Sequence, residues 1–66
     1  MWVDSSNVEA LGYDEGAQEL WVQFKSGRKY IYDAVPLSAF EELLNAPSVG
    51  SYLNREIKPN YGYRDA

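Results

Sequence analysis

The chain has 66 residues and a net charge of −4, with no cysteine and no histidine. A chain of this length supports one small domain and buries only about 60% of the surface that its unfolded form exposes. The missing residue types exclude a disulfide framework and zinc sites of the usual ligand types. The first residues lack a charged segment followed by an apolar run, and no stretch approaches the ~20 apolar residues of a membrane span, so we expect a cytoplasmic protein.

The charge is divided unevenly along the chain. Residues 1–24 contain five acids and no base, whereas residues 25–66 contain six bases and five acids. A negative net charge argues against strong, nonspecific binding of nucleic acid, because such binding depends on the neutralisation of phosphates. A local cluster of bases nonetheless lies at Lys25, Arg28 and Lys29.

The first predicted strand runs from Val8 to Tyr13. Its apolar residues do not follow one strict alternation, so we expect a bulge within it. A turn that contains Gly16 leads to the next strand. We predict a single domain over residues 1–66 with a core at about 5–61, and mobile ends at 1–4 and 62–66.

The next two strands are predicted to form a hairpin within residues 20–35, and two registers are open. In the first, Ser26 and Gly27 form a two-residue turn and Trp21 lies opposite Tyr32. In the second, Gly27 takes the left-handed position of a three-residue turn with a bulge. A two-residue hairpin turn requires positive φ at both of its positions, and only one of them is glycine, so we prefer the second register.

The preferred register divides the hairpin into an apolar face and a polar face, whereas a slip by one residue would exchange them. It pairs Phe24 with Arg28. The predicted inner face holds Leu20, Val22, Phe24, Tyr30, Tyr32 and Ala34. The predicted open face holds Trp21, Gln23, Lys25, Lys29, Ile31 and Asp33. Trp21 and Ile31 are then direct cross-strand neighbours on the open face.

Two helices are predicted to follow the hairpin. Pro36 ends the sheet, and Ser38 with Glu41 has the spacing of a capping box, although the helix can also begin a turn earlier. Pro47 stops this helix and Ser48 is the predicted N-cap of the second. The apolar stripes are Leu37, Phe40, Leu43 and Leu44 in the first helix, and Val49, Tyr52, Leu53 and Ile57 in the second. The sequence therefore predicts an α+β fold, a three-stranded antiparallel meander followed by two helices on one face (βββαα).

The residue types needed for the common enzymatic mechanisms are missing. Without histidine or cysteine there is no ordinary pair of nucleophile and base. Asp14 and Glu15 are two acids in a turn and fall well short of a calcium loop. We therefore predict a non-enzymatic domain without a metal or a cofactor.

Two functions from different classes fit the sequence. In the first, the domain binds RNA weakly, using bases on phosphates and an aromatic side chain on a base. Its predicted site residues are Lys25, Arg28, Lys29, Tyr30, Tyr32, Arg55 and Lys58. Tyr30 and Tyr32 are core residues in the preferred register and are free to stack only in the other one. In the second function, Trp21 and Ile31 on the open face form a surface for another protein or for self-association.

A series of motifs carries a family resemblance over nearly the whole chain. The front is Ser5-Ser6-Asn7-Val8 with Gly12-Tyr13-Asp14, and the centre is Leu20-x-Val22-x-Phe24-x-Ser26-Gly27-x-x-Tyr30-x-Tyr32, followed by Val35-Pro36. The helical half is Ala46-x-Ser48-x-Gly50-x-Tyr52-Leu53-Asn54-x-x-Ile57. From about Ser5 to Tyr61 the chain resembles the KTSC domain.

The resemblance implies a small bacterial or phage protein, or a domain at the C-terminus of some lysyl-tRNA synthetases. The association with those synthetases implies RNA as the partner, either tRNA or a single strand. It implies no established activity, and fold alone does not determine function.

Overall fold

The structure is a computed structural model and describes residues 6–66. Four strands form one antiparallel sheet in the order β1-β2-β3-β4, with β1 at Val8–Asp14, β2 at Glu19–Phe24, β3 at Lys29–Tyr32 and β4 at Tyr63–Asp65. Helix α1 spans Leu37–Asn45, and α2 spans Val49–Tyr52 and continues as a π-helical turn over Leu53–Ile57. The fold is α+β with the predicted βββαα core. The expectation of mobility for residues 1–4 lies outside the described residues.

The prediction of a three-stranded sheet is wrong by one strand. The segment predicted as a mobile tail forms β4, in which Arg64 pairs with Ile31 and Tyr63 pairs with Tyr32. The ring of Tyr63 lies 4.7 Å from the ring of Tyr30 and 5.5 Å from that of Tyr32, measured between centroids. These aromatic contacts and the backbone ladder hold the last residues against β3.

The preferred hairpin register is confirmed. Leu20 pairs with Tyr32 and Trp21 pairs with Ile31. Gly27 has a φ of 98°, a conformation that suits glycine because it has no Cβ. The predicted bulge in β1 is confirmed as well, since the register with β2 shifts between Val8 and Ala10.

The core lies between the inner face of the sheet and the helical segments. Tyr32 is fully buried there, as predicted, whereas Phe24 and Tyr30 are only partly buried at its edge. The buried cluster consists of Val8, Leu11, Leu20, Val22, Tyr32, Val35, Leu43, Leu53 and Ile57. At the other end of the core, the rings of Tyr13 and Phe40 are stacked with centroids 4.7 Å apart.

The two helices begin in different ways. Pro36 is the N-cap of α1 and makes no side-chain capping bond, so the capping box at Ser38 and Glu41 does not form and the earlier start is correct. Ser48 is the N-cap of α2 as predicted, and its Oγ accepts a hydrogen bond from the Ser51 amide at 3.3 Å.

The π-helical turn was not predicted from the apolar stripe. In this turn the Lys58 amide donates to the Leu53 carbonyl at 2.9 Å, one residue further back than in an α-helix. Leu53 and Ile57 at its two ends are both buried. The wider turn therefore keeps both apolar side chains in the core and sets the direction in which Lys58 leaves the helix.

Candidate functional site

A groove of about 340 Å³ lies between the β2–β3 turn and the second helical segment. Its walls come from three parts of the chain that the fold brings together. The start of β1 contributes Ser6, Asn7 and Val8, the hairpin contributes Phe24, Lys25, Ser26, Arg28 and Tyr30, and the helical segment with its C-cap contributes Gly50, Leu53, Asn54 and Lys58. We call this feature the basic groove.

The basic groove concentrates positive charge in an acidic chain. Lys25, Arg28 and Lys58 line it, and no carboxylate from residues 6–66 does. Three cations around one concave surface raise the local potential and attract an anion. The groove is therefore electrostatically opposite to the chain as a whole, whose net charge is −4.

Lys58 is held towards the groove by an aromatic ring. Its Nζ lies 5.4 Å from the centroid of the Phe24 ring, within the range of a cation–π contact. The backbone of Lys58 is the C-cap of the π-helical turn. Such turns occur frequently at functional sites, and here the turn places an ammonium group opposite the hairpin.

Arg28 is positioned by a neighbour on the hairpin. Its Nη1 donates a hydrogen bond to the Tyr30 hydroxyl at 3.2 Å, and this bond raises the pKa of the guanidinium. The Tyr30 ring packs edge-on against Phe24, with centroids 5.3 Å apart, and against Tyr63 at 4.7 Å. One wall of the groove is therefore aromatic and carries a fixed guanidinium at its rim.

The structure brings only part of the predicted RNA site together. Lys25, Arg28, Tyr30 and Lys58 share the basic groove, together with Phe24, which the sequence predicts as a core residue only. The polar residues Ser6, Asn7, Ser26 and Asn54 also line it and were missed as site residues, although each belongs to the motif series that marks the resemblance.

The remaining predicted RNA contacts lie elsewhere. Lys29 pairs with Gln23 and lines a different depression on the other face of the sheet. Arg55 makes an ion pair with Glu56 at 3.1 Å. Its guanidinium carbon also lies 5.8 Å from the centroid of the Tyr52 ring.

Tyr32 is a core residue in this structure. It is 0% exposed, and its hydroxyl has no hydrogen-bond partner among residues 6–66. Burial raises the pKa of this hydroxyl to about 12. A ring in this position is unable to stack on a base, so the base-stacking role predicted for Tyr32 is not available in this arrangement.

The open face of the sheet has one exposed aromatic side chain rather than an exposed pair. Trp21 is 44% exposed and borders a depression of about 240 Å³, but its neighbour Ile31 is only 6% exposed. Arg64 lies opposite Ile31 on β4 and reaches Glu19 on β2 with an N–O distance of 2.6 Å. The contacts with Glu19 and Asp33 carry the Arg64 side chain over β3 on the face that holds Ile31.

Within the described part of the chain, no helix is long and apolar enough to cross a membrane. The same residues contain no cluster of three or more aspartate or glutamate side chains suited to hold a metal ion.

The fold and the basic groove define a small α+β domain with one concave, cationic and partly aromatic surface. A family model described as the KTSC domain matches residues 4–61. The chain therefore belongs to the KTSC domain family.

Relatives of the chain occur both as small proteins and within a longer enzyme. A protein from Tsukamurella paurometabola is 42% identical over 59 residues, which are 89% of this chain and 88% of that protein. A lysine–tRNA ligase from Nostoc sp. is 42% identical over 60 residues, which are 91% of this chain but 11% of the ligase. A solved KTSC domain protein from Yersinia pestis is 30% identical with a TM-score of 0.96, covering 100% of this chain and 93% of that one.

Proposed function

We propose that the domain is a non-enzymatic binding module and that the basic groove binds RNA through its phosphates. One observation carries this proposal: Lys25 and Arg28 of the hairpin and Lys58, thirty residues further along the chain, converge on a groove that no carboxylate from residues 6–66 lines. The similarity to a lysine–tRNA ligase supports RNA as the partner, since that enzyme acts on a tRNA.

The motif residues and the bases of the groove have different roles in binding. The motif series supplies Phe24, Tyr30 and Asn54, an aromatic and polar wall suited to a nucleoside. Lys25, Arg28 and Lys58 stand at positions that the motif leaves open. We infer that the motif builds the groove and that the affinity for phosphate depends on the bases this chain places around it.

The number of cations sets the strength of binding. Three phosphate contacts on a single strand correspond to a slope of about −2 in the logarithm of affinity against the logarithm of salt concentration. This is a shallow dependence compared with that of dedicated nucleic-acid-binding proteins, so we expect weak binding that is measurable at low salt.

The test is an NMR titration with single-stranded RNA and with tRNA at two salt concentrations. Shifts are expected around Lys25, Arg28 and Lys58 and are expected to weaken at the higher salt. The variant Lys25→Glu/Arg28→Glu/Lys58→Glu should lose binding while keeping a folded spectrum, because all three side chains are exposed.

A matched control reverses bases that lie outside the groove. Lys29→Glu/Arg55→Glu makes the same kind of change on exposed positions and should retain most of the RNA binding. RNA affinity that survives the groove reversal, or that falls equally in the control, would contradict the proposal.

The second candidate function is a protein contact or self-association through the open face. The observation that favours it is the 44% exposure of Trp21 beside the 240 Å³ depression, which the small residues Ala10 and Gly12 help to line. Because Ile31 is only 6% exposed, this surface centres on Trp21. Sedimentation of the wild type and of Trp21→Gln over a range of concentrations tests it: association that the substitution abolishes supports the surface, and a monomer at every concentration removes self-association.

A further inference from the structure

The basic groove has the size of a small-molecule site rather than of a channel for a strand. Its volume of about 340 Å³ lies at the lower end of the range of about 300–1,000 Å³ that is usual for such sites. A cavity of this size holds one nucleotide unit rather than a run of several.

Few unpaired bases in the described part of the chain lie outside the groove. Among residues 6–66, the bases outside it are Lys29, Arg55 and Arg64. Arg55 is paired with Glu56, and Arg64 is paired with Glu19 and Asp33. Lys29 lines two other depressions, one of them together with Arg28, and the Asp65 carboxylate lines that one as well. A strand that continued beyond the groove would therefore meet few bases to neutralise its phosphates.

The charge inside the groove fits a phosphate that carries more than one negative charge. A phosphomonoester carries about −1.5 to −2 at pH 7, whereas each internal phosphodiester carries one charge. Arg28 offers a planar fork for two phosphate oxygens, and Lys25 and Lys58 offer compact point charges. Three cations that share one small concave surface are better matched by the monoester.

We propose that the basic groove binds the phosphomonoester of a nucleotide, as the phosphorylated end of an RNA strand or as a free nucleotide. The inference rests on the proposed function and specifies which part of the RNA enters the site. Arg28, Lys25 and Lys58 contact the terminal phosphate, and Tyr30 and Asn54 face the nucleoside. The interior of the strand stays outside the groove.

The experiment compares short RNAs of one sequence with a 5′-phosphate, a 3′-phosphate or two hydroxyl ends, together with a free nucleoside 5′-monophosphate and O-phosphoserine. We expect a phosphorylated end to bind about tenfold more tightly than the unphosphorylated strand, because the additional charge is met by charge-assisted hydrogen bonds. The advantage should shrink as the pH falls below about 6, where the monoester gains a proton. Arg28→Gln/Lys58→Gln should abolish the advantage, and Arg55→Gln should not change it.

The outcomes separate this inference from the proposed function. Equal affinity for phosphorylated and unphosphorylated strands overturns the inference and leaves RNA binding in place. Binding of the free nucleotide without binding of any strand supports the phosphomonoester site and removes RNA as the partner. Phosphoserine that binds as tightly as the nucleotide overturns the assignment to a nucleoside, and no binding of any probe overturns both proposals. Tighter binding of the strand than of the nucleotide identifies the RNA end as the source.

Discussion

The two faces of the sheet bury apolar side chains by different means. On the inner face the helical segments cover Leu20 and Val22, which are 0% and 1% exposed. On the outer face Ile31 is 6% exposed, and the side chain of Arg64 from the edge strand extends over β3 to reach Asp33 and Glu19. Burial of an apolar side chain on this sheet therefore does not identify the core face, because one long polar side chain can shield an apolar neighbour.

The same comparison applies to the bases on the two faces. On the outer face Arg64 is bridged to Glu19 and Asp33, so its charge is largely offset by neighbouring carboxylates. In the basic groove on the other side, Lys58 contacts the Phe24 ring, and Arg28 donates to a tyrosine hydroxyl with the Asp65 carboxylate as a further electrostatic partner, so their charges are less offset than that of Arg64. The carboxylates that neighbour the bases, rather than the number of bases, therefore determine which face attracts an anion.

The largest expected effect is the difference in unfolding free energy between a substitution on the inner face and one on the outer face. Leu20→Ala on the inner face should lower the free energy of unfolding by about 2–5 kcal/mol, since it leaves a cavity in a packed cluster. Trp21→Gln, one residue further and on the outer face, should change it by no more than about 0.5 kcal/mol, as is usual for exposed positions. Chemical denaturation of both variants measures the difference, and similar losses would show that the outer face contributes as much to stability as the inner one.

This contrast also shows how much the sequence could predict. The alternation of residues in the hairpin and the single glycine at Gly27 were sufficient for the register, because the turn geometry and the apolar pattern agree. The fourth strand was missed because Tyr63–Asp65 is three residues long and follows a glycine, which is weak local information. Its position depends on contacts with Tyr30 and Tyr32 that are distant in sequence.

The candidate site was predictable only in part, for the same physical reason. The bases at Lys25 and Arg28 were evident as a cluster in the sequence, but the approach of Lys58 depends on the π-helical turn. A stripe at α-helical spacing contains no signal for one extra residue in a turn. The ion pairs of Arg55 and Arg64, which offset the charge of those two bases, likewise depend on three-dimensional contacts.

A smaller effect is expected when the cover of the outer face is removed. Arg64→Ala should expose Ile31 and loosen β4, because two ion pairs and the covering side chain are lost together. The loss of stability should be smaller than that of Leu20→Ala, since exposed ion pairs contribute little. Hydrogen exchange should accelerate at the Ala66 amide, which donates to the Lys29 carbonyl.

Lys29→Ala provides the control for this change, because it also removes an exposed cation from the sheet. It should leave the exchange rate at Ala66 nearly unaltered, as the backbone bond does not depend on the lysine side chain. Unchanged exchange in Arg64→Ala would mean that the backbone ladder alone holds the edge strand, and Arg64 would then have no role as a cover.

The smallest expected effect concerns two tyrosine hydroxyls on the inner face. The Tyr13 hydroxyl donates to the Val35 carbonyl at 2.5 Å, whereas the buried Tyr32 hydroxyl has no hydrogen-bond partner among residues 6–66. Tyr13→Phe should therefore lower the free energy of unfolding. Tyr32→Phe should raise it by about 1 kcal/mol, because it removes a buried hydroxyl whose desolvation cost no hydrogen bond offsets. Thermal and chemical denaturation of the two variants at neutral pH test this difference in sign.

The pH dependence of stability gives a second measurement of the Tyr32 environment. Burial raises the pKa of Tyr32 to about 12 in the folded protein, against 10.0 for an exposed tyrosine. Between these values the unfolded chain releases the proton and the folded protein retains it, so stability should fall as the pH rises from about 10 to about 12. The hydrogen bond to Glu42 raises the pKa of Tyr52 to about 12 as well, and this group adds a slope of the same sign. Tyr32→Phe should make the decline shallower without removing it, and an unchanged decline would mean that the Tyr32 hydroxyl reaches solvent.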